Sequence, residues 1–497
     1  MFRRILIANR GEIAVRIIRA CRDMGIESVA VYSDADARGL HVTLADQAVR
    51  IGPASAAVSY LSIDAIIGAA RIAGAEAIHP GYGFLAENHD FAFACDAAGL
   101  TFIGPPGTVI QQMGSKIAAR QLAARAGAPV VPGETPVDQS DTSIAAAAER
   151  IGLPVLLKPA EGGGGIGMKA IRDQAALLPA IAQGRREAEA AFGDGTLYVE
   201  RLIDRPRHVE FQILADSHGN VVHLFERECS IQRRHQKVIE ETPSVAVSPT
   251  LRKRMGEAAV AVARTAGYRN AGTIEFLLEG SGDDASFYFL EMNTRLQVEH
   301  PITEQVVGVD LVRAQIAVAA GERLPWSQDQ LSQRGHAIEA RVYAEDAAQN
   351  DLPQAGPLLL YREPSMPGLR VDAGFVEGGE VSVHYDPLIA KVIAWGETRD
   401  AARRRLQTAL RSYPILGIRT NIPLLLELLD HARFISGDIH TQLLDQEGAV
   451  MRRRLASPPP PEVLAVAARA TEHPGPPAQA GRTGGPDPWT TLRGLRV

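Results

Sequence analysis

Glu291-Met-Asn-Thr-Arg-Leu-Gln-Val-Glu299 concentrates more chemistry than any other stretch of the chain. Read at period two, Glu291, Asn293, Arg295, Gln297 and Glu299 fall on one face. Leu290, Met292, Thr294, Leu296 and Val298 fall on the other, which is apolar apart from Thr294. A straight strand would separate Glu291 from Glu299 by ~26 Å at ~3.3 Å per residue, too far for one small substrate. The spacing therefore predicts a bend after about Asn293 and two separate tasks. Carboxylate and amide oxygens at Glu291 and Asn293 suit Mg²⁺. A planar Arg295 beside Gln297 and Glu299 suits a small oxyanion such as a carboxylate or bicarbonate.

Two β-type runs, 271–278 and 286–293, flank a turn-rich segment at 279–285. A hairpin folded about Asp283 places Glu275 opposite Glu291. Like charges facing each other on a sheet repel unless a cation sits between them. A solvated pair of surface glutamates is the competing reading of that pair.

Lys158 ends a predicted strand, 154–158, and precedes Glu161-Gly-Gly-Gly-Gly-Ile-Gly167. Gly162 to Gly165 cannot form a packed strand or helix, and they leave backbone N–H groups free to meet phosphate in a mobile lid. Lys116, at the start of a predicted helix over 117–126, supplies a second cation. No Gly-Lys-Ser/Thr follows the glycines, so this is not a Walker loop, and kinase signatures are absent. In 226–241, Arg233, Arg234, His235 and Lys237 can surround an anion, although the same charge pattern also fits a solvated face. Lysines for phosphate plus acids for Mg²⁺ are the needs of phosphoryl transfer.

These groups must be held by more than one domain, because the chain has 497 residues. Residues 3–110 alternate strand and helix patterns, with strands at 4–8 and 28–32 around a helix at 13–24, which implies a parallel sheet. The first turn, 8–13, lacks a full Gly-x-Gly-x-x-Gly, so it does not support dinucleotide binding. Beyond about residue 330 short, turn-rich strands predict a β-rich, barrel-like part. From Ser457 the chain turns rich in Pro, Gly and Ala and reads as a flexible extension. The net charge of -6 argues against nucleic acid or an anionic membrane as a partner. No apolar run reaches the ~20 residues that span a bilayer. Cys21, Cys95 and Cys229 are few and scattered, which fits a reducing, cytoplasmic setting.

Several ordered motifs resemble biotin carboxylase, the ATP-grasp subunit of biotin-dependent acyl-CoA carboxylases. They are Asn9-Arg-Gly-Glu-Ile-Ala14, His79-Pro-Gly-Tyr-Gly-Phe-Leu85, Gly114-Ser-Lys116, the glycine loop, 233–241, and 291–300. The resemblance covers roughly residues 1–450. It implies an α/β and α+β multidomain chain: a Rossmann-like preATP-grasp domain over 1–113, an ATP-grasp domain over 114–330 with a mobile lid at about 131–204, a β-barrel-like C-terminal domain over 331–447, and a tail over 457–497. ATP would phosphorylate bicarbonate to carboxyphosphate, which then carboxylates biotin on a carrier protein. Lys116, Lys158, Gly163, Gly164, Gly165, Glu200, His208, Gln232, His235 and Ile439 would contact ATP. Glu275, Glu291 and Asn293 would hold Mg²⁺, or Mn²⁺ in its place. Lys237, Arg295, Gln297, Val298 and Glu299 would bind bicarbonate, with Glu299 as its base, and Arg341 would stabilise the biotin enolate.

Ile166 departs from the family, which carries Arg or Lys there, and a raised Michaelis constant for ATP is the expected consequence. There is no Ala-Met-Lys-Met biotinylation motif, so biotin is expected on a separate carrier protein. A carboxyltransferase subunit and a homodimer are the other partners implied. The segment 486–496 faintly resembles the region beyond this domain in longer carboxylase α subunits, and the tail is expected to dock to a partner. Another ATP-grasp ligase, or a non-catalytic nucleotide-binding subunit, remains as an alternative. The final acceptor stays open among acetyl-CoA (the route to fatty acid biosynthesis), propionyl-CoA, a branched acyl-CoA and pyruvate.

Overall fold

Apolar runs at the N-terminus build the parallel sheet that the alternation of strand and helix predicts. β1 (Arg4–Ile7), β2 (Glu27–Ser33), β3 (Gln47–Gly52), β4 (Ala77–His79) and β5 (Thr101–Phe102) lie in the order β3-β2-β1-β4-β5, each pair parallel. The helix Gly11–Asp23 sinks Ile13, Ile17 and Ala20 into the core beside Ile5 and Ile7. Asn9 ties the carboxyl ends of β1 and β4 together, since its Nδ2 donates to the Pro80 and Tyr82 carbonyls, each at 2.7 Å. Loops at the carboxyl ends of parallel strands are where such sheets place ligands.

The computed structural model describes residues 1–160, 167–234 and 236–455. Gly163, Gly164, Gly165, Ile166, His235 and the tail from Ala456 therefore lie outside the described residues. Met1–Leu455 form one compact unit.

β6 (Gly133–Glu134), β7 (Val155–Pro159), β8 (Lys169–Ile171) and β9 (Leu197–Arg201) make a small antiparallel sheet, ordered β6-β9-β7-β8. Its own core joins Val155, Leu157 and Val199 to Ile144 and Ile181 of the helices Asp141–Ile151 and Leu177–Phe192.

The large sheet begins with β10 (Arg207–Ala215), β11 (Val221–Arg233), β12 (Gln236–Thr242), β13 (Asn270–Glu279) and β14 (Ser286–Asn293). β15 (His336–Tyr343) and the strands Leu388–Gly396 and Leu369–Ala373 complete eight strands in one sheet. The expectation that strands beyond 330 are short is met only in part. Leu352–Pro353, Gly356–Pro357 and Leu360–Tyr361 are two-residue strands, but β15 has 8 residues and Leu388–Gly396 has 9. The physical reason is pairing: β12 meets β15 through Ile239↔Ala340 and Glu240↔Glu339, so the long C-terminal strands continue the central ladder.

Candidate active site

β13 and β14 fold back on each other with Glu275 paired to Glu291. The register then slips, so that Phe276 pairs with Phe289 and Leu290 is the extra residue of a bulge. This corrects the strict alternation read from the sequence. Leu290 and Glu291 both face a cavity of about 1000 Å³, while Phe289 and Met292 enter the core. The strand ends at Asn293, where the predicted bend occurs, and Glu299 directly precedes the helix His300–Val307 without capping it through its side chain.

Glu275, Glu291 and Asn293 all line that cavity. Burial, then repulsion from Glu275, pushes the Glu291 carboxyl up to about 7. Burial would also raise Glu275, but His208 and Lys237 hold it well below the usual carboxylate range. His208 Nε2 lies 3.0 Å from a Glu275 oxygen, and Glu275 in turn holds the imidazole above its ordinary value against the effect of burial. Two opposed acids with an adjacent amide carbonyl fit a hard divalent cation, and the raised Glu291 is the strain such an ion relieves.

Lys237 stands at the centre of the acids. Its Nζ donates to Glu210 at 2.5 Å, to Glu275 at 2.9 Å and to Glu299 at 2.7 Å. Burial opposes its charge, but the acidic groups around it hold the ammonium well above its ordinary range. Glu299 is wholly buried, and its second oxygen accepts from Arg341 Nη2 at 2.9 Å. Burial alone would raise Glu299; Lys237, Arg341 and Arg227 instead hold it well below the usual range. Burial likewise opposes the Arg341 charge, while Glu240 and Glu299 hold it up.

Arg295 donates from Nε to Glu87 at 2.7 Å, from Nη1 to Gln297 at 2.7 Å and the Leu296 carbonyl at 3.3 Å, and from Nη2 to Asn293 at 3.0 Å. Arg295, Gln297, Val298 and Arg341 share the cavity wall with Lys237. Lys158 on β7 pairs with Glu200 on β9, and these two line the same cavity with Lys116, His208 and Gln232.

Three of the expected residues do not line the cavity. Arg233, the last residue of β11, does not line the cavity with Arg234; it pairs with Glu345 at 2.9 Å and Asp351 at 2.8 Å, while Arg234 lies beyond the strand end in a turn at φ +49°. Ile439 is 2% exposed in the C-terminal core and does not line the cavity, where Thr441 and Gln442 stand instead. An apolar side chain gains more from that core than from a polar wall. Glu299 lies behind the wall, sealed by Lys237 and Arg341.

Two residues carry weight that the sequence does not announce. Glu210 is fully buried and takes Arg227 Nε at 2.6 Å as well as Lys237. Its signal is present, since His208, Glu210 and Gln212 repeat at period two in a strand. Glu87, which orients Arg295, sits in the 77–88 loop without any pattern to mark it.

Comparison with known proteins agrees with this geometry. Family models match in order: "Biotin carboxylase, N-terminal domain" over residues 1–110, "Carbamoyl-phosphate synthase L chain, ATP binding domain" over 115–327, and "Biotin carboxylase C-terminal domain" over 339–446. The biotin carboxylase of Halalkalibacterium halodurans is 49% identical over 441 residues, 89% of this chain and 97% of that protein. The mitochondrial methylcrotonoyl-CoA carboxylase subunit alpha of Rattus norvegicus is 49% identical over 444 residues, 89% of this chain. This chain spans only 62% of the length of that relative. Among solved structures, the biotin carboxylase domain of the Hydrogenobacter thermophilus 2-oxoglutarate carboxylase, in complex with MgADP, ADP and bicarbonate, superposes with a TM-score of 0.86 at 44% identity. It covers 91% of this chain and 99% of that one. An ATP-grasp ligase fold with a paired-acid site is thus the class. The chain belongs to the biotin carboxylase family.

Proposed function

We propose that this chain carries out the first half-reaction of a biotin-dependent carboxylase: ATP-dependent carboxylation of biotin, borne on a carrier protein, with bicarbonate. The observation that carries the reading is the shared wall on which Glu275, Glu291 and Asn293 adjoin Lys237, Arg295, Gln297 and Arg341. Metal ligands and an oxyanion pocket side by side are what joining ATP to bicarbonate requires.

A bicarbonate oxygen attacks the γ-phosphorus of ATP, ADP leaves, and carboxyphosphate forms. Its carboxyl then passes to biotin, releasing phosphate. Glu275, Glu291 and Asn293 hold Mg²⁺, or Mn²⁺, which neutralises phosphate charge. Lys116, Lys158, Glu200, His208 and Gln232 form the nucleotide wall, and His235, Gly163, Gly164 and Gly165 are assigned to ATP by resemblance alone. Arg295, Gln297, Val298 and Lys237 receive bicarbonate. Glu299 acts as its base and Arg341 stabilises the biotin enolate. The paired Glu299 is a weak base as it stands, so its role requires the incoming anion to draw Lys237 and Arg341 away from it, which raises its proton affinity as substrate binds.

The domain limits 1–113, 114–330 and 331–447 are part of this proposal. So are a carrier protein, a carboxyltransferase subunit, a homodimer and a cytoplasmic setting. Cys21, Cys95 and Cys229 are all unpaired and buried, which favours a reducing compartment. Among the described residues no helix is long and apolar enough to cross a membrane. The relatives include methylcrotonoyl-CoA carboxylase and pyruvate carboxylase subunits, which favours those acceptors over acetyl-CoA and fatty acid biosynthesis.

ADP release with MgATP tests the reading. Release that needs bicarbonate and rises with free biotin is the expected outcome. Release indifferent to both would point to another ATP-grasp ligase.

A further inference from the structure

Lys391 is 0% exposed, yet it lies outside the cavity lining and outside every role assigned above. It sits on the strand Leu388–Gly396, directly across from Arg341 on β15. Cross-strand partners share a face, so its side chain lies on the same side of the sheet as Arg341. Its Nζ donates to the backbone carbonyl of Val298 at 3.0 Å. The same Nζ lies 3.1 Å from Glu12 Oε2 and 3.8 Å from Asp372 Oδ2, and 5.9 Å from the centroid of the Tyr82 ring.

Three of these contacts, Val298, Glu12 and Tyr82, line the cavity. Val298 lies between Gln297 and Glu299, the side chains that flank the oxyanion pocket. Glu12 opens the first helix and accepts the hydroxyl hydrogen of Tyr82, and both residues line the cavity. Burial pushes the Glu12 carboxyl up to about 7 even though Lys391 opposes that shift. The helix start is also pressed from behind. A Cβ on Gly374, which follows Asp372 and Ala373, would come within 2.6 Å of the Glu12 nitrogen. The backbone of 372–374 therefore approaches the first helix as closely as glycine permits.

A fully buried ammonium is costly unless it is paired and hydrogen-bonded. Plain packing would be served better by an apolar side chain of the same volume. A charge held here by two acids and pointed at one backbone carbonyl has a positional use instead.

We propose that Lys391 is a positioning residue for the carboxylation end of the site. It holds the Val298 peptide in place, and through it Gln297 and Glu299, against the Glu12–Tyr82 wall. This rests on the biotin carboxylase reading above. On that reading bicarbonate and biotin meet at this end, whereas the nucleotide phosphates are held by Lys116 and Lys158. Loss of Lys391 should therefore separate the substrates.

The test uses the full chain, with Lys391→Met and Lys391→Gln. Wild-type ADP release that depends on bicarbonate checks the underlying reading independently, because it involves neither variant. Lys391→Met should raise KM for bicarbonate by about tenfold or more, the loss expected of one charge-assisted hydrogen bond. Lys391→Gln keeps a donor of shorter reach and should fall between the two. KM for ATP should stay within about twofold, a split that general loosening of the fold would not produce. Folded variants with the wild-type KM for bicarbonate would overturn the proposal. So would a parallel rise in KM for ATP and for bicarbonate. If Lys391→Met does not fold, Lys391→Gln decides alone: a raised KM for bicarbonate supports the role and an unchanged one refutes it.

Discussion

Glu275 and Glu291 stand directly opposite each other across the β13–β14 hairpin, one step before the bulge at Leu290. Because of the bulge, the polar face of β14 opens on the cavity together with Leu290, and the pair is buried where its repulsion is strongest. Glu291→Gln should relieve that repulsion and lose a metal ligand at once. We expect at least a ~10-fold rise in the Mg²⁺ concentration needed for half-maximal ADP formation, in line with the cost of disturbing a metal shell. Thermal stability in chelator should not fall. An unchanged Mg²⁺ titration would show that the ion is held elsewhere.

Lys237 is the common partner of Glu210, Glu275 and Glu299. Lys237→Met leaves three buried carboxylates without their central cation. Breaking a buried pair costs about 3–5 kcal/mol, so urea unfolding should shift by that order and bicarbonate-dependent turnover should be lost. A variant as stable as wild type would mean the acids share protons instead of relying on the lysine.

Arg233 and Arg234 are neighbours with opposite duties. Arg233 is bound to Glu345 and Asp351, and Asp351 also takes Arg452 at 2.6 Å. Arg233→Gln should lower the unfolding midpoint while KM for ATP stays within about twofold, as a bond distant from substrate requires. Arg234→Gln, on the cavity wall, should raise KM for ATP with little effect on stability. The reverse pattern would return Arg233 to the anion site.

His41 is 1% exposed, and neither the Asp36 carboxylate nor the Val31 backbone offsets the effect of its burial. Burial lowers its pKa from 6.5 to about 4. Between those values the unfolded chain binds a proton that the folded chain does not, so stability falls as pH falls through that window. At pH 5 the loss is about 2 kcal/mol for this one group. His41→Leu should flatten the pH dependence of the urea midpoint between pH 7 and pH 5 by that amount. An equal slope in both proteins would assign the acid sensitivity to other groups.

Much of the site is legible in the sequence because it rests on periodicity. The seven-residue turn between two β-type runs is enough to bring Glu275 against Glu291, and the bend at Asn293 comes from strand length alone. Lys158 can be placed because a strand ending before consecutive glycines has few other uses. The rest depends on the third dimension. A bulge is one residue, and nothing local marks Leu290 as that residue. Arg233 ends β11 while Arg234 turns away at positive φ, and no local pattern marks where that strand stops. The burial of Glu299 depends on Lys237, Arg341 and Arg227, which arrive from other strands. The continuation of the central ladder into β15 is hidden for the same reason, since strand order is a long-range property.

The small β6–β9 sheet shares no ladder with the two larger sheets among the described residues. Its ties to the hairpin include side-chain contacts, such as Arg201 with Glu279 at 2.9 Å and with Tyr288 at 2.9 Å. Lys158 rides on that sheet, while Lys237 and Arg341 belong to the eight-stranded one. One cavity is therefore walled by two sheets with no hydrogen-bond ladder in common among the described residues. On the proposed reading, cations that meet ATP and bicarbonate come from separately built sheets, so either can be altered without rebuilding the other's ladder.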